Sequence, residues 1–250
     1  MSAAFDLTAA AQAVFDQFYR VPRAGAVRLS DGGGPFGFDI TVAMQVEHLV
    51  TVFDCDGIVE TGCYLGDTTD YLARRYPHLP VRTCDIDSDA AAFTRRRLRH
   101  RDNVQVLTGD SATVISRLGD GLTRPLYYLD AHWYPGWPLP TELAAINVGV
   151  VCVDDIDIGH PRFGFDTYDG RPCDPHLIAE ARPDLTRMWV GNPYFDYPLP
   201  CLQTGRRAGT GYLLPEHAAT ITHPMFTPVP LNPVRLPSWP ATPPDRSTPA

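Results

Sequence analysis

Two apolar runs in this chain end in acids: Tyr127-Tyr128-Leu129-Asp130-Ala131-His132-Trp133-Tyr134 and Val151-Cys152-Val153-Asp154-Asp155. If the two strands they encode lie side by side, three carboxylates and one imidazole meet at one sheet edge. Crowded carboxylates repel unless a cation or a shared proton relieves them. Hard oxygen donors of this kind suit Mg²⁺, with waters or substrate oxygens completing an octahedron. A second reading needs no metal: Asp130 orients a substrate, and Asp154 and Asp155 cap the following turn. Successive strand residues point to opposite faces, so Asp154 and Asp155 both serve as ligands only if the strand has already turned at Asp155. His132 is the candidate general base, because an imidazole with a pKa near 6.5 accepts a proton at neutral pH. Trp133, Tyr134 and Trp137, stiffened by Pro135 and Pro138, form a candidate apolar wall for a substrate.

Other apolar runs end in the same way. Ile58-Val59-Glu60-Thr61-Gly62-Cys63-Tyr64-Leu65-Gly66-Asp67-Thr68 reads as a strand, a glycine-punctuated turn and the start of a helix. Glycine allows φ > 0 and close approach of a ligand to the backbone. Val81 to Asp87 ends in two carboxylates, of which Asp85 or Asp87 suits a ribose hydroxyl pair. Val104 to Ser111 ends in Asp110 and Ser111. Three consecutive strands with polar tips predict one ligand lying across one edge of a parallel sheet. A dinucleotide turn would read G-x-G-x-x-G and seat a pyrophosphate. Here Glu60 heads the turn and repels phosphate, which favours a cation with an adenosine tail, such as S-adenosylmethionine (SAM), over a nicotinamide cofactor.

These residues resemble the class I SAM-dependent methyltransferases, whose first motif reads acid-x-Gly-x-Gly-x-Gly. Tyr64 stands where the middle glycine falls, a departure similar to that of the metal-dependent small-molecule group typified by macrocin O-methyltransferase and cephalosporin-hydroxylase-like proteins. The resemblance covers roughly residues 40 to 215 and is strongest at 58–68 and 127–155. It implies a Rossmann-like doubly wound α/β sheet, mostly parallel with an antiparallel last strand, in which the fourth and fifth strands are neighbours. By position it implies a metal held by Asp130, Asp154 and Asp155. It further implies a SAM site built from Glu60, Gly62, Tyr64, Gly66, Thr68, Asp85, Asp110, Ser111 and Asp130. Glu60 would face the methionine portion or orient the turn, and Asp110 with Ser111 would face the adenine edge. The activity implied is methyl transfer to a small molecule, in specialised (natural product) metabolism. The alternatives are SAM-dependent cyclisation or elimination, and a non-catalytic SAM-binding partner subunit.

Composition narrows the field. A formal charge of -8 over 250 residues argues against a nucleic-acid partner, which needs clustered cations. All 21 basic residues are arginine, which removes a Schiff-base or P-loop lysine. Six cysteines without a C-x-x-C pair, and no run of 18 apolar residues, predict reduced thiols in a cytoplasmic protein with no membrane partner. The expected partner is a small-molecule substrate.

The elements that must position these residues follow from alternating patterns: strand 57–61, helix 67–76, strand 81–86, helix 88–100, strand 104–108, helix 111–118, strand 125–130, helix 140–146 and strand 148–154. Before them, residues 3 to 20 read as an amphipathic helix, a cap or a homo-oligomer contact, and 41 to 53 as a second helix. The glycine-rich stretch Ser30 to Pro35 reads as a lid or linker. An arginine run from Arg95 to Arg101 reads as a solvated helix face or a phosphate patch. After the fifth strand comes an aperiodic insertion, 159–184, in which Phe165, Asp166 and Tyr168 are candidate substrate contacts. Two closing strands, 186–190 and 209–214, are joined by a long connection that borders the substrate. Residues 1–40 thus read as a cap, 41–222 as the SAM-binding domain and 223–250, with nine prolines, as a tail outside the fold.

Overall fold

Strand character is clearest where successive side chains divide between two faces, and the computed structural model shows this division directly. It describes residues 5–131, 136–214 and 220–240. In chain order the helices are α1 (Leu7–Phe18), α2 (Ile40–Val52), α3 (Asp67–Arg75), α4 (Ser88–Arg97), α5 (Ser111–Gly119), α6 (Leu139–Ala145) and α7 (Pro175–Ala181). The strands are β1 (Gly57–Thr61), β2 (Val81–Asp85), β3 (Val104–Thr108), β4 (Pro125–Leu129), β5 (Val150–Val153), β6 (Phe163–Gly164), β7 (Thr167–Tyr168), β8 (Arg171–Pro172), β9 (Arg187–Gly191), β10 (Arg207–Ala208), β11 (Gly211–Leu213) and β12 (Phe226–Pro230). In β4, Leu126 and Tyr128 pack with α1, α2 and α3 on one face, while Tyr127 and Leu129 pack with α5, α6 and α7 on the other. Both faces of the sheet are therefore covered, as near-continuous apolar strands require.

Eight strands form one sheet in the order β12-β9-β11-β5-β4-β1-β2-β3. β1 to β5 run parallel, and β11 lies antiparallel between β5 and β9. The chain walks outward from β1 through β2 to β3, then returns to place β4 on the other side of β1. This reversal puts the switch point, and the crevice such sheets use for ligands, at the carboxyl ends of β1 and β4.

The structure corrects several sequence expectations. The proline-rich segment supplies an edge strand: β12 pairs antiparallel with β9, with Phe226 opposite Gly191 and Val229 opposite Met188. Prolines are tolerated there because an edge strand needs hydrogen bonds on one side only. The insertion contains α7, capped by the Asp174 carboxylate accepting from the Leu177 N–H. Ser30 to Pro35 is tied down by the Arg23 guanidinium, which donates to the carbonyls of Arg28, Asp31 and Gly33, and it leads directly into a 3₁₀ turn at Pro35–Phe38. Arg97 clamps α4 to the Asp67 carboxylate and to the carbonyls of Leu65 and Pro22, and Arg101 pairs with Asp70, whereas Arg95, Arg96 and Arg99 are exposed. All six cysteines are free thiols. No helix among the described residues is long and apolar enough to cross a membrane.

Candidate active site

At the switch point the Asp130 N–H donates to the Thr61 carbonyl at 3.2 Å, drawing the ends of β4 and β1 together. Gly62 lies in this gap with φ +77, and a Cβ there would stand 2.4 Å from the Asp130 carbonyl oxygen. Glycine is thus required by backbone crowding as well as by conformation. Gly66, also at φ +77, opens α3, and a Cβ on it would meet Thr94. Between them Tyr64 takes φ 43, the left-handed conformation its glycine counterpart would adopt freely, at a cost of about 1–2 kcal/mol. Asp85 helps to hold it there, its carboxylate accepting the Tyr64 N–H at 2.7 Å, while the Thr94 hydroxyl donates to the Tyr64 carbonyl. The Tyr64 side chain is 69% exposed and free to meet a ligand.

The other acids of this edge divide by what they already hold. Asp87 caps α4, its Oδ1 accepting the Asp89 and Ala90 N–H groups, while Asp85 accepts the Asp87 N–H on one oxygen and the Tyr64 N–H on the other. Asp110 caps α5 through the Ala112 N–H, and Ser111 is buried in its first turn. Glu60 is buried at 2% exposure and accepts the Thr69 hydroxyl, and burial pushes its carboxyl up to about 7. It therefore ties β1 to α3. The Thr68 hydroxyl accepts the Phe36 N–H at 3.1 Å, linking the N-terminal segment to this turn.

Beside the turn, Asp130, Asp154 and Asp155 come together, with one carboxylate oxygen from each lying within 4.8 Å of the others. β4 and β5 are paired as expected, Leu129 opposite Val153. β5 ends at Val153 and Asp155 has φ 50, so the strand has turned where both residues must face one point. Burial, followed by the Asp154 and Asp155 charges, holds the Asp130 carboxyl well above the ordinary range. Burial also raises Asp154 to about 6, against the hydrogen bond from the Thr210 hydroxyl at 3.1 Å, and raises Asp155 to about 8 with help from Asp154 and Asp166. These groups face one another with too little positive charge between them. The donor set is of the kind a hard divalent cation takes, and Mg–O distances of about 2.1 Å would require the three oxygens to draw closer together than the 4.8 Å that bounds them here.

Sequence reasoning missed Arg206, which stands beside this cluster, and Glu142, which is buried elsewhere at this end of the sheet. Arg206 pairs with Asp155 at 3.1 Å and with Asp166 at 3.4 Å. Glu142 on α6 is fully buried beside the hydroxyls of Ser111 and Thr61, neither carboxylate oxygen has an ordinary hydrogen-bond partner, and burial raises its carboxyl to about 7. Its position was legible in principle: Leu139, Glu142 and Leu143 share the i, i+3, i+4 stripe that a helix turns inward.

The expected substrate contacts separate. Asp166 stands beside the cluster through Arg206, and the Tyr168 hydroxyl accepts the Gly136 N–H while its ring lies 5.9 Å from that of Trp137. Phe165 is 37% exposed. His132, Trp133 and Tyr134 lie outside the described residues.

Comparisons with known proteins gave likenesses in structure. No family model matches the chain, and no curated protein matches it in sequence. The methyltransferase domain of bacterial CtHen1 superposes with a TM-score of 0.49 at 10% identity, over 69% of this chain and 96% of that domain. For a putative O-methyltransferase from Klebsiella pneumoniae the TM-score is 0.47 at 17% identity, over 82% of this chain and 90% of the other. An SAH-bound methyltransferase from Podospora anserina gives 0.46 at 15% identity, over 86% and 98%.

Proposed function

We propose that this protein is a SAM-dependent methyltransferase acting on a small molecule, with a divalent metal at Asp130, Asp154 and Asp155. The observation that carries the reading is the juxtaposition at the switch point: an acid-headed turn locked by Asp85 on the β1 side, and three underneutralised carboxylates on the β4–β5 side. The first suits a cationic adenosine cofactor whose ribose hydroxyls lie at Asp85 and whose adenine lies near Asp110 and Ser111. The second suits a hard cation holding the acceptor. SAM would supply a methyl carbon activated by sulfonium, and a divalent ion held by Asp130, Asp154 and Asp155 would lower the pKa of an acceptor hydroxyl. The chain's task is then to align the acceptor and take up its proton, for which His132 is the proposed base.

The test is calorimetry with SAM, followed by turnover with and without chelator. SAM should bind the wild-type protein, and Asp85→Asn should weaken it by about tenfold to a hundredfold, the usual loss for a charged hydrogen bond. Chelation should stop formation of S-adenosylhomocysteine while leaving SAM bound, and Asp130→Asn should reproduce that state. A wild-type protein that binds no SAM would end this reading, and full activity after chelation would remove the metal from it.

A further inference from the structure

Next to the acidic cluster, at the same edge of the sheet, lies a cavity of about 480 Å³. That is within the range of small-molecule sites, about 300–1,000 Å³. It is walled by the start of α2, the insertion at Ile158–Phe163, the connection from Gly191 to Cys201, and β10 with Thr210. Among the described residues, the candidate substrate contacts Trp137, Phe165, Asp166 and Tyr168 do not line it.

We infer that this cavity receives the acceptor, and that the acceptor is a flat, neutral aromatic molecule carrying a hydroxyl group. The inference rests on the methyl-transfer reading above. Four aromatic residues line the cavity from two segments: Phe163 from the insertion, and Tyr194, Phe195 and Tyr197 from the long connection. The polar walls are largely spent on the protein itself. Asp39 holds Arg207 at 2.6 Å and Thr41 at 2.6 Å. The Gln45 side chain accepts from the Tyr212 hydroxyl and donates to that of Tyr197. Asn192 donates to the Pro224 carbonyl and accepts the Tyr194 N–H. The exposed pair Arg162 and Asp196 adds one charge of each sign. A ligand therefore meets aromatic residues and balanced charge, which favours planarity over charge.

The same cavity reaches the cluster by a single hydroxyl. Thr210 lines it and donates to Asp154 at 3.1 Å, so a hydroxyl placed at this wall stands one side chain from a proposed metal ligand. The start of β10 and the residue before it couple the two spaces: Arg206 turns to Asp155 and Asp166, whereas the next residue, Arg207, turns to Asp39 with its guanidinium 4.8 Å from the Phe163 ring centroid.

The experiment titrates 2-naphthol and its saturated counterpart decahydro-2-naphthol into the full chain, with S-adenosylhomocysteine and Mg²⁺ present, by calorimetry. The two probes share a hydroxyl and a carbon skeleton and differ in planarity. We expect 2-naphthol to bind and the saturated alcohol to bind at least about tenfold more weakly. Tyr194→Ala and Phe195→Ala should each weaken 2-naphthol by about tenfold or more while S-adenosylhomocysteine affinity is kept. Phe195→Leu, which keeps apolar bulk without a ring, separates loss of the ring face from loss of packing and should also weaken 2-naphthol. Equal binding of the two probes, or unchanged 2-naphthol affinity in the folded variants, overturns the assignment. Absence of S-adenosylhomocysteine binding in the wild-type protein overturns the methyl-transfer reading instead, whatever the cavity binds.

Discussion

At the residue scale, the informative groups are buried acids with little or no positive charge beside them. Glu142 is the cleanest, because it lies away from the three-carboxylate cluster and carries both oxygens into the core without ordinary partners. Its carboxyl is raised from 4.5 to about 7 in the folded state. A group raised on folding contributes stability that is complete below its unfolded pKa and is lost as pH rises through the folded one. Wild-type stability should accordingly fall between about pH 4.5 and 7 by up to about 2–3 kcal/mol from this residue. Glu142→Gln, which cannot ionise, should fall less over the same interval. Urea midpoints of the two proteins from pH 5 to 8 check this, and parallel curves would mean that Glu142 keeps an ordinary pKa.

At the element scale, β12 carries the sheet beyond residue 222. Phe226 is buried against Tyr212, their ring centroids 5.1 Å apart, and against His48, and Val229 is fully buried beside Met188. Phe226→Ala should cost about 3–5 kcal/mol, the usual price of a large cavity. In a tail lying outside the fold the same change would be neutral, so a chemical denaturation curve separates the two descriptions. Prolines 228 and 230 also leave the outer edge of β12 poorly suited to pairing with another chain.

At the scale of the whole molecule, one sheet edge gathers Glu60, Asp130, Asp154, Asp155 and Asp166 while the chain carries a net charge of -8. With Asp154 raised to about 6 and Asp155 to about 8, protons and a divalent cation compete for the same oxygens. Without metal, stability should decline as pH rises from about 4 through 8, because carboxylates raised on folding lose their protons there. Adding Mg²⁺ should restore much of that loss at pH 8 and little at pH 5. Melting temperatures with Mg²⁺ and with chelator across this range test the expectation, and identical curves would leave the cluster without a metal.

The sequence by itself determined the parallel core and its order of elements, because apolar runs of five residues alternating with helical stretches report burial locally. It also determined which residues end β1 to β5, and so the acids and glycines that stand at one edge. Tertiary structure alone decided how those acids divide their work. Asp87 proved to be a helix cap and Asp85 the lock on Tyr64, a distinction made by hydrogen bonds across 21 residues. Gly62 is fixed by the Asp130 carbonyl, and Arg207 by Asp39 across 168 residues. Neither pairing leaves a local pattern, since both partners are brought together only when the sheet closes. The same holds for β12, whose prolines read locally as a coil and whose place in the sheet is set by the open edge of β9.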